Sequence, residues 1–73
     1  MPMYKVVADK LYKRRIIPAI LPDANNIAGV VNKDQIFTAQ EVPANEIPNA
    51  SLGKWYKDSD GHYYWGGGLK LYK

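Results

Sequence analysis

The stretch Trp55–Leu69, WYKDSDGHYYWGGGL, constrains the fold more than any other part of this 73-residue chain. Its aromatic residues form two runs on either side of Asp60-Gly61, a pair typical of tight hairpin turns because glycine accepts a positive φ. We therefore predict two strands, Lys54–Asp58 and His62–Trp65, joined as a hairpin. The three glycines Gly66–Gly68 cannot continue a strand comfortably, and they predict a tight or 3₁₀-like turn.

Four more segments are rich in β-branched and aromatic residues, and we expect them to be strands: Tyr4–Ala8, Ile27–Val31, Ile36–Val42 and Leu69–Lys73. The segment Ile36–Val42 lacks a cleanly apolar face, which indicates a bulge or an edge position. Polar residues predict a turn at Asn32–Gln35 and a loop over Pro43–Gly53.

The region between the first two predicted strands is harder to interpret. Lys10–Arg15 is strongly charged, and we expect a charged loop there. Pro18 and Pro22 exclude a stable helix in the segment that follows and favour an extended, looping path. No part of the chain keeps helical periodicity for more than a turn or two. We therefore predict an all-β fold, a small barrel of five to six short strands whose closure removes exposed edges.

Length and composition limit the chain to a single domain, residues 1–73, which we expect to be a module of a longer protein. The absence of cysteine excludes a disulfide framework and a thiolate zinc site. No apolar run approaches membrane-spanning length, so we expect no membrane insertion. The net charge is +3, and the basic residues cluster at the start of the chain. A basic face favours anionic partners, and its simpler interpretation is a solvated surface.

The inventory for catalysis and metal binding is small. His62 is the single histidine, and we expect it to face solvent in the hairpin without binding a metal. The Asp58–Gly61 segment lacks the spacing of a calcium loop. Ser51 and Ser59 occur in turn-like contexts without a partner base. We predict that the chain is not an enzyme and that it uses no metal or cofactor.

The end of the chain resembles the bacterial SH3 domain, an SH3-like barrel found in cell-wall-associated proteins. The similarity rests on the glycine and tryptophan that open the hairpin, its turn, and the aromatic strand that leads through a glycine turn to a final leucine: Gly53, Trp55–Lys57, Asp60-Gly61, Tyr64-Trp65 and Leu69. Leu11–Arg14 stands where the family often has leucine-asparagine-valine-arginine, but Lys13 replaces the expected inward valine.

Alternation along the two aromatic strands indicates a ligand-binding surface. Neighbouring residues of a strand point to opposite faces, so Trp55 and Tyr56 cannot both enter the core, nor can Tyr64 and Trp65. Rings outside a core are suited to peptide or glycan grooves, although cross-strand pairing that merely stabilises the hairpin is the alternative. The candidate ligand-binding residues are Trp55, Tyr56, Tyr63, Tyr64 and Trp65, with Tyr12 and Arg14 across the groove.

The resemblance implies a non-catalytic targeting module that binds peptidoglycan peptide outside the cell or in the cell envelope. It would tether an attached cell-wall hydrolase to its polymer through effective concentration. A second hypothesis is a protein–protein docking domain of an envelope or phage assembly, which would use the rings and the apolar segment Ile16–Leu21. A third is a nucleic-acid-binding barrel, in which Tyr12 stacks bases among the basic residues of Lys10–Arg15.

Overall fold

The structure is a computed structural model, and it describes residues 2–72. It is an all-β fold, as the sequence predicts, with seven short strands: β1 (Met3–Val6), β2 (Lys10–Arg14), β3 (Ile27–Asn32), β4 (Ile36–Glu41), β5 (Trp55–Asp58), β6 (Tyr63–Trp65) and β7 (Leu69–Leu71). Four single-turn 3₁₀ helices lie in the connections. Within residues 2–72, no helix has the length and apolar character needed to cross a membrane.

The strand count corrects the expectation of five to six strands, because the charged segment Lys10–Arg15 is not a loop. Its residues form β2, which pairs with β3 from Lys10↔Asn32 to Arg14↔Ile27. Leu11 is buried in the core while Lys10 and Tyr12 are exposed, so the first half of the strand alternates in burial despite its charges. The long basic side chains mask this alternation in the sequence. The final predicted strand ends at Leu71, and Lys73 lies outside the described residues.

The strands form one antiparallel sheet in the order β3-β2-β6-β5-β4-β1-β7. Strand β4 is central, which excludes the edge position that its sequence allowed. Its first half, Ile36–Thr38, pairs with β1, and its second half, Ala39–Glu41, pairs with β5. The register irregularity lies instead in β2, between Lys13 and Arg14. That shift lies beside Lys13, the residue that differs from the pattern of the bacterial SH3 domain.

The sheet folds over a single core. The main hydrophobic cluster of this core draws on six of the seven strands: Val6, Leu11, Val31 and Tyr64, with Phe37 and Leu69 packed against them. The molecule measures 28 × 24 × 21 Å, dimensions too even for a flat seven-stranded sheet. Strands β3 and β7 share no ladder within residues 2–72, so the sheet curls without closing through hydrogen bonds. The predicted removal of exposed edges by closure is therefore not observed.

The β5–β6 hairpin turns where the sequence predicts it. Gly61 has a φ of 85°, and the Asp58 carboxylate accepts hydrogen bonds from the backbone N–H groups of Asp60 and His62, both at 2.9 Å. The Tyr64 hydroxyl donates to the same carboxylate at 2.7 Å. Burial acts to raise the pKa of Asp58, but these hydrogen bonds hold it below its usual value. The Asp58 side chain therefore caps the backbone N–H groups of the turn.

The glycine turn after β6 is a 3₁₀ helix, Gly66–Gly68, as predicted. Because these glycines have no Cβ atom, the Trp65 ring can lie against the backbone of the turn. A Cβ atom on Gly67 would lie 2.4 Å from Cη2 of the Trp65 ring. A Cβ atom on Gly66 would lie 2.8 Å from the carbonyl oxygen of Lys54, which already accepts the Gly66 N–H at 2.7 Å. Close approach therefore requires glycine at both positions.

We predict that Gly66→Ala destabilises the fold by about 1–3 kcal/mol, the usual range for overpacking. The new methyl group meets the Lys54 carbonyl, a backbone atom that cannot rotate away. Urea denaturation followed by tryptophan fluorescence measures the change.

The matched control is Gly29→Ala in β3. Its Cβ atom would meet nothing closer than the Lys13 Cδ atom at 3.8 Å, so we expect at most a small stabilisation. Equal unfolding free energies for the two variants would contradict the close approach at Gly66.

Candidate ligand-binding groove

A groove made of two adjoining pockets lies between β2, the β5–β6 hairpin and the two long loops that precede and follow the β3–β4 pair. Its first part has a volume of about 380 Å³, and the side chains that shape it are Tyr12, Arg14, Leu21, Leu52, Trp55 and Trp65. Its second part, about 370 Å³, shares Tyr12, Arg14 and Leu21 with the first and continues past Asp23 to Ile27. We call the two parts together the aromatic groove.

The aromatic groove brings together four of the seven candidate binding residues. Tyr12 is 49 % exposed and Trp65 is 44 % exposed, whereas Trp55 is fully buried and Arg14 is 8 % exposed. The two tryptophans are cross-strand partners in the β5–β6 ladder. The groove thus has exposed aromatic walls and a buried Trp-Arg floor.

The other three candidates lie elsewhere. Tyr64 is part of the core, where its ring packs on Phe37 at a centroid distance of 4.6 Å. Tyr56 packs on Tyr4 at the same distance. Tyr63 lines a separate cavity of about 400 Å³ beside Lys57. Adjacent aromatic residues of each strand therefore differ in their surroundings, as alternation requires.

Trp65 is held in place as one wall of the groove. Its indole Nε1–H donates a hydrogen bond of 2.6 Å to the carbonyl oxygen of Leu52, and its ring lies against Gly67. Both contacts come from loops on either side of the hairpin. The exposed ring is therefore fixed before any ligand arrives, which reduces the entropy lost on binding.

Arg14 lies at the centre of the groove floor. Its guanidinium carbon is 5.5 Å from the centroid of the Tyr12 ring and 5.7 Å from that of Trp55, distances suited to cation–π contact. Its Nη1 group forms an ion pair with Asp23, which is also mostly buried. Burial acts to raise the pKa of Asp23, but the hydrogen bonds from Arg14 and Asn26 and the charge of Arg14 hold it below its usual value.

Two buried donors on this floor have no hydrogen-bond acceptor within residues 2–72: Trp55 Nε1 and Arg14 Nε. A buried polar group without a partner typically costs about 1–3 kcal/mol. Both N–H groups are enclosed by the protein and almost inaccessible from outside.

The loop of residues 15–26 is fastened at its base and covers one end of the groove. The Asn26 side chain accepts the Ile16 N–H at 2.8 Å and donates to the Ile16 carbonyl at 2.7 Å. Asn49 donates to the carbonyl of Ala19 at 3.1 Å, which joins this loop to the loop after β4. Ile20, at the loop tip, is 78 % exposed.

Sequence analysis names Leu21 only as the end of the apolar docking segment Ile16–Leu21, and it does not connect Asp23 or Leu52 with the groove. All three lie in loops, where periodicity gives no signal. Asp23 is the single carboxylate between Asp9 and Asp34, and this was the one clue that it could pair with Arg14.

The hairpin turn places Asp58, Asp60 and His62 close together, with ligand atoms within 4.8 Å of one another. His62 is half-buried rather than solvent-facing, and its Nδ1 atom is buried without a partner in the described chain. The Asp58 oxygens already accept three hydrogen bonds within the turn. The hydrogen bonds of the hairpin turn therefore explain why these three side chains lie close together.

Comparison with known proteins does not identify a ligand for the aromatic groove. No family model, no curated protein and no solved structure matches this chain. The resemblance to the bacterial SH3 domain thus stays a prediction from the sequence.

The Arg14–Asp23 pair predicts acid sensitivity. Because the pKa of folded Asp23 is lowered, its contribution to stability is complete above the unfolded value of about 4 and is lost as the pH falls through the folded value. Below about pH 4, the free energy of unfolding of the wild type should therefore decrease as the pH falls. Urea denaturation at a series of pH values measures it.

Asp23→Asn is the matching variant, since it keeps an acceptor for Arg14 and removes the titrating group. We expect it to be less stable at neutral pH and to show a weaker dependence on pH below 4. Asp58 titrates in the same window and remains in both proteins, so only the difference in slope is diagnostic. An unchanged slope would contradict the assignment.

Proposed function

We propose that this chain is a non-catalytic binding module that holds an extended peptide in the aromatic groove. The observation that carries the proposal is the convergence of Tyr12, Arg14, Trp55 and Trp65 on one pocket of the groove. Such a surface combines large apolar area with a few polar groups that fix orientation, as peptide sites do.

The shape of the groove supports an extended ligand. Its two parts share a boundary at Tyr12, Arg14 and Leu21, so a ligand lying along both parts passes over the buried guanidinium. The hydroxyl of Ser51, which lines the first part, donates to the Asn49 side chain at 2.6 Å. That hydroxyl therefore has a structural role in the loop.

The peptide we propose is that of bacterial peptidoglycan, on the basis of the resemblance to the bacterial SH3 domain. In this proposal the module acts outside the cell or in the cell envelope. It raises the effective concentration of an attached cell-wall hydrolase at its polymer. The nucleic-acid alternative is less well supported, because Asp23 neutralises Arg14 within the basic segment.

A second candidate function is docking to another protein through the loop of residues 15–26. Ile16, Ile20 and Leu21 are all exposed on this loop, next to the aromatic groove. Sedimentation velocity over a range of concentrations tests the simplest form of this candidate, self-association. A monomer at all concentrations would remove that form.

We predict that Tyr12→Ala weakens binding to purified peptidoglycan by about 1–2 kcal/mol, or about five- to thirtyfold in Kd. The Tyr12 ring is an exposed wall of the groove, so its loss removes contact area with little effect on the core. Co-sedimentation with peptidoglycan at physiological salt measures the bound fraction.

Tyr72→Ala is the matched control, because Tyr72 is also 49 % exposed and lies outside the aromatic groove, beside Lys5 and Lys70. We expect it to bind like the wild type. If the wild type does not co-sediment with peptidoglycan, the proposed ligand is wrong. If both variants weaken equally, the groove is not the site.

A further inference from the structure

A second surface of the molecule carries an unbalanced positive charge. Lys5, Lys33 and Lys70 line a cavity of about 400 Å³, and Asp34 is the one carboxylate among residues 2–72 that lines it with them. We call this the lysine cavity, and we propose that it binds a flexible phosphodiester polymer that carries no bases. It shares no residue with the aromatic groove, so this inference goes beyond the proposed function.

The fold holds these lysines together in spite of their repulsion. Lys5 in β1 and Lys70 in β7 are direct cross-strand partners, an arrangement of like charges that destabilises a sheet. Lys33 and Asp34 belong to the β3–β4 turn, and Asp34 lies 3.5 Å from the Lys5 ammonium group. Three lysines and one aspartate leave the lining residues with a net charge of +2. An anionic partner would relieve this repulsion.

All three ammonium groups are accessible from solvent. Lys33 and Lys70 are exposed, and the Lys5 side chain keeps 40 % of its surface exposed beside Asp34. A ligand therefore reaches the three charges without moving any core side chain.

The type of cation favours phosphodiester groups over carboxylates. No arginine lines the cavity among residues 2–72, so it lacks the planar guanidinium fork that binds a carboxylate through two hydrogen bonds. Lysine acts as a point charge, which suits the single charge of each phosphodiester group. One contact with an exposed lysine is weak in water. A polymer engages all three lysines, and each contact raises the effective concentration for the next.

The other lining residues favour a polymer without bases. Proteins that bind single-stranded nucleic acid place several aromatic rings along a basic groove for successive bases. Tyr72 is the one aromatic ring among the described residues of the lysine cavity, and its neighbour Leu71 is 61 % exposed. One ring and an aliphatic side chain suit the short hydrocarbon links of a chain such as poly(glycerol phosphate).

The first experiment titrates poly(glycerol phosphate) into the ¹⁵N-labelled chain at low salt and follows the backbone amides by NMR. We expect the amide signals of Lys5, Lys33 and Lys70 to shift, while the indole signal of Trp65 in the aromatic groove stays in place. Added salt should weaken the binding steeply, because it depends on charge.

The diagnostic variant is Lys70→Gln. We expect it to weaken binding of the polymer about two- to fivefold, as for the loss of one exposed ion pair. Its resistance to urea should stay equal or increase, because the repulsion with Lys5 is removed. A lower affinity without a loss of stability separates a binding role from a structural one.

Lys54→Gln is the matched control, because Lys54 is also exposed, lies outside the lysine cavity and changes the net charge by the same amount. We expect it to bind the polymer like the wild type. Tyr12→Ala, which alters the aromatic groove, should bind it like the wild type as well. Co-sedimentation with peptidoglycan free of such polymers tests the groove separately, so either proposal can fail alone.

Two kinds of result overturn the proposal. If the wild type does not bind poly(glycerol phosphate) at low salt, or if Lys70→Gln and Lys54→Gln weaken binding equally, the cavity is not the site. Tighter binding of oligothymidylate, of polyglutamate with the same number of charges, or of phosphatidylglycerol vesicles would instead assign the surface to nucleic acid, to acidic peptides or to membranes.

Discussion

The alternation of the β5–β6 hairpin is the constraint on which both the core and the groove depend. Tyr64 fills the core from one face, while its neighbour Trp65 is exposed as a groove wall. In β5, Trp55 lies under the groove and Tyr56 packs on Tyr4. A shift of register by one residue would exchange these positions and destroy both features together. The Asp58 cap and the glycine turn, which fix the two ends of β6, therefore protect the site as well as the fold.

The sequence predicts the turns better than the surfaces. Asp60-Gly61 and the three glycines act locally, so their turns could be read directly from residue type. Strand β2 was not predicted, because its charged side chains conceal the alternation of Leu11 and Tyr12. Alternation also separates Trp55 from Tyr56 without saying which one faces the core. Loops that are distant in sequence decide that question, since Leu21 and Leu52 cover the side on which Trp55 lies.

Arg14 links the loop of residues 15–26 to the floor of the aromatic groove. A buried guanidinium needs a partner, and Asp23 supplies it from the far side of the 15–26 loop. The same ion pair that fastens the loop to β2 removes the net charge from the groove floor. The rings of Tyr12 and Trp55 also lie close to the Arg14 guanidinium group. The attachment of the loop and the construction of the groove thus depend on the same few side chains.

The pairing of β1 with β7 has a mechanical consequence. The two strands are antiparallel, and the Tyr72 N–H donates to the Met3 carbonyl at 2.8 Å, so the two ends of the fold leave it side by side. Tension applied through both ends would load this ladder one hydrogen bond at a time, as in opening a zipper, rather than all bonds together in shear. The aromatic groove is built on β2, β5 and β6, away from that ladder. Under such tension, the ladder between β1 and β7 would open before the aromatic groove was strained.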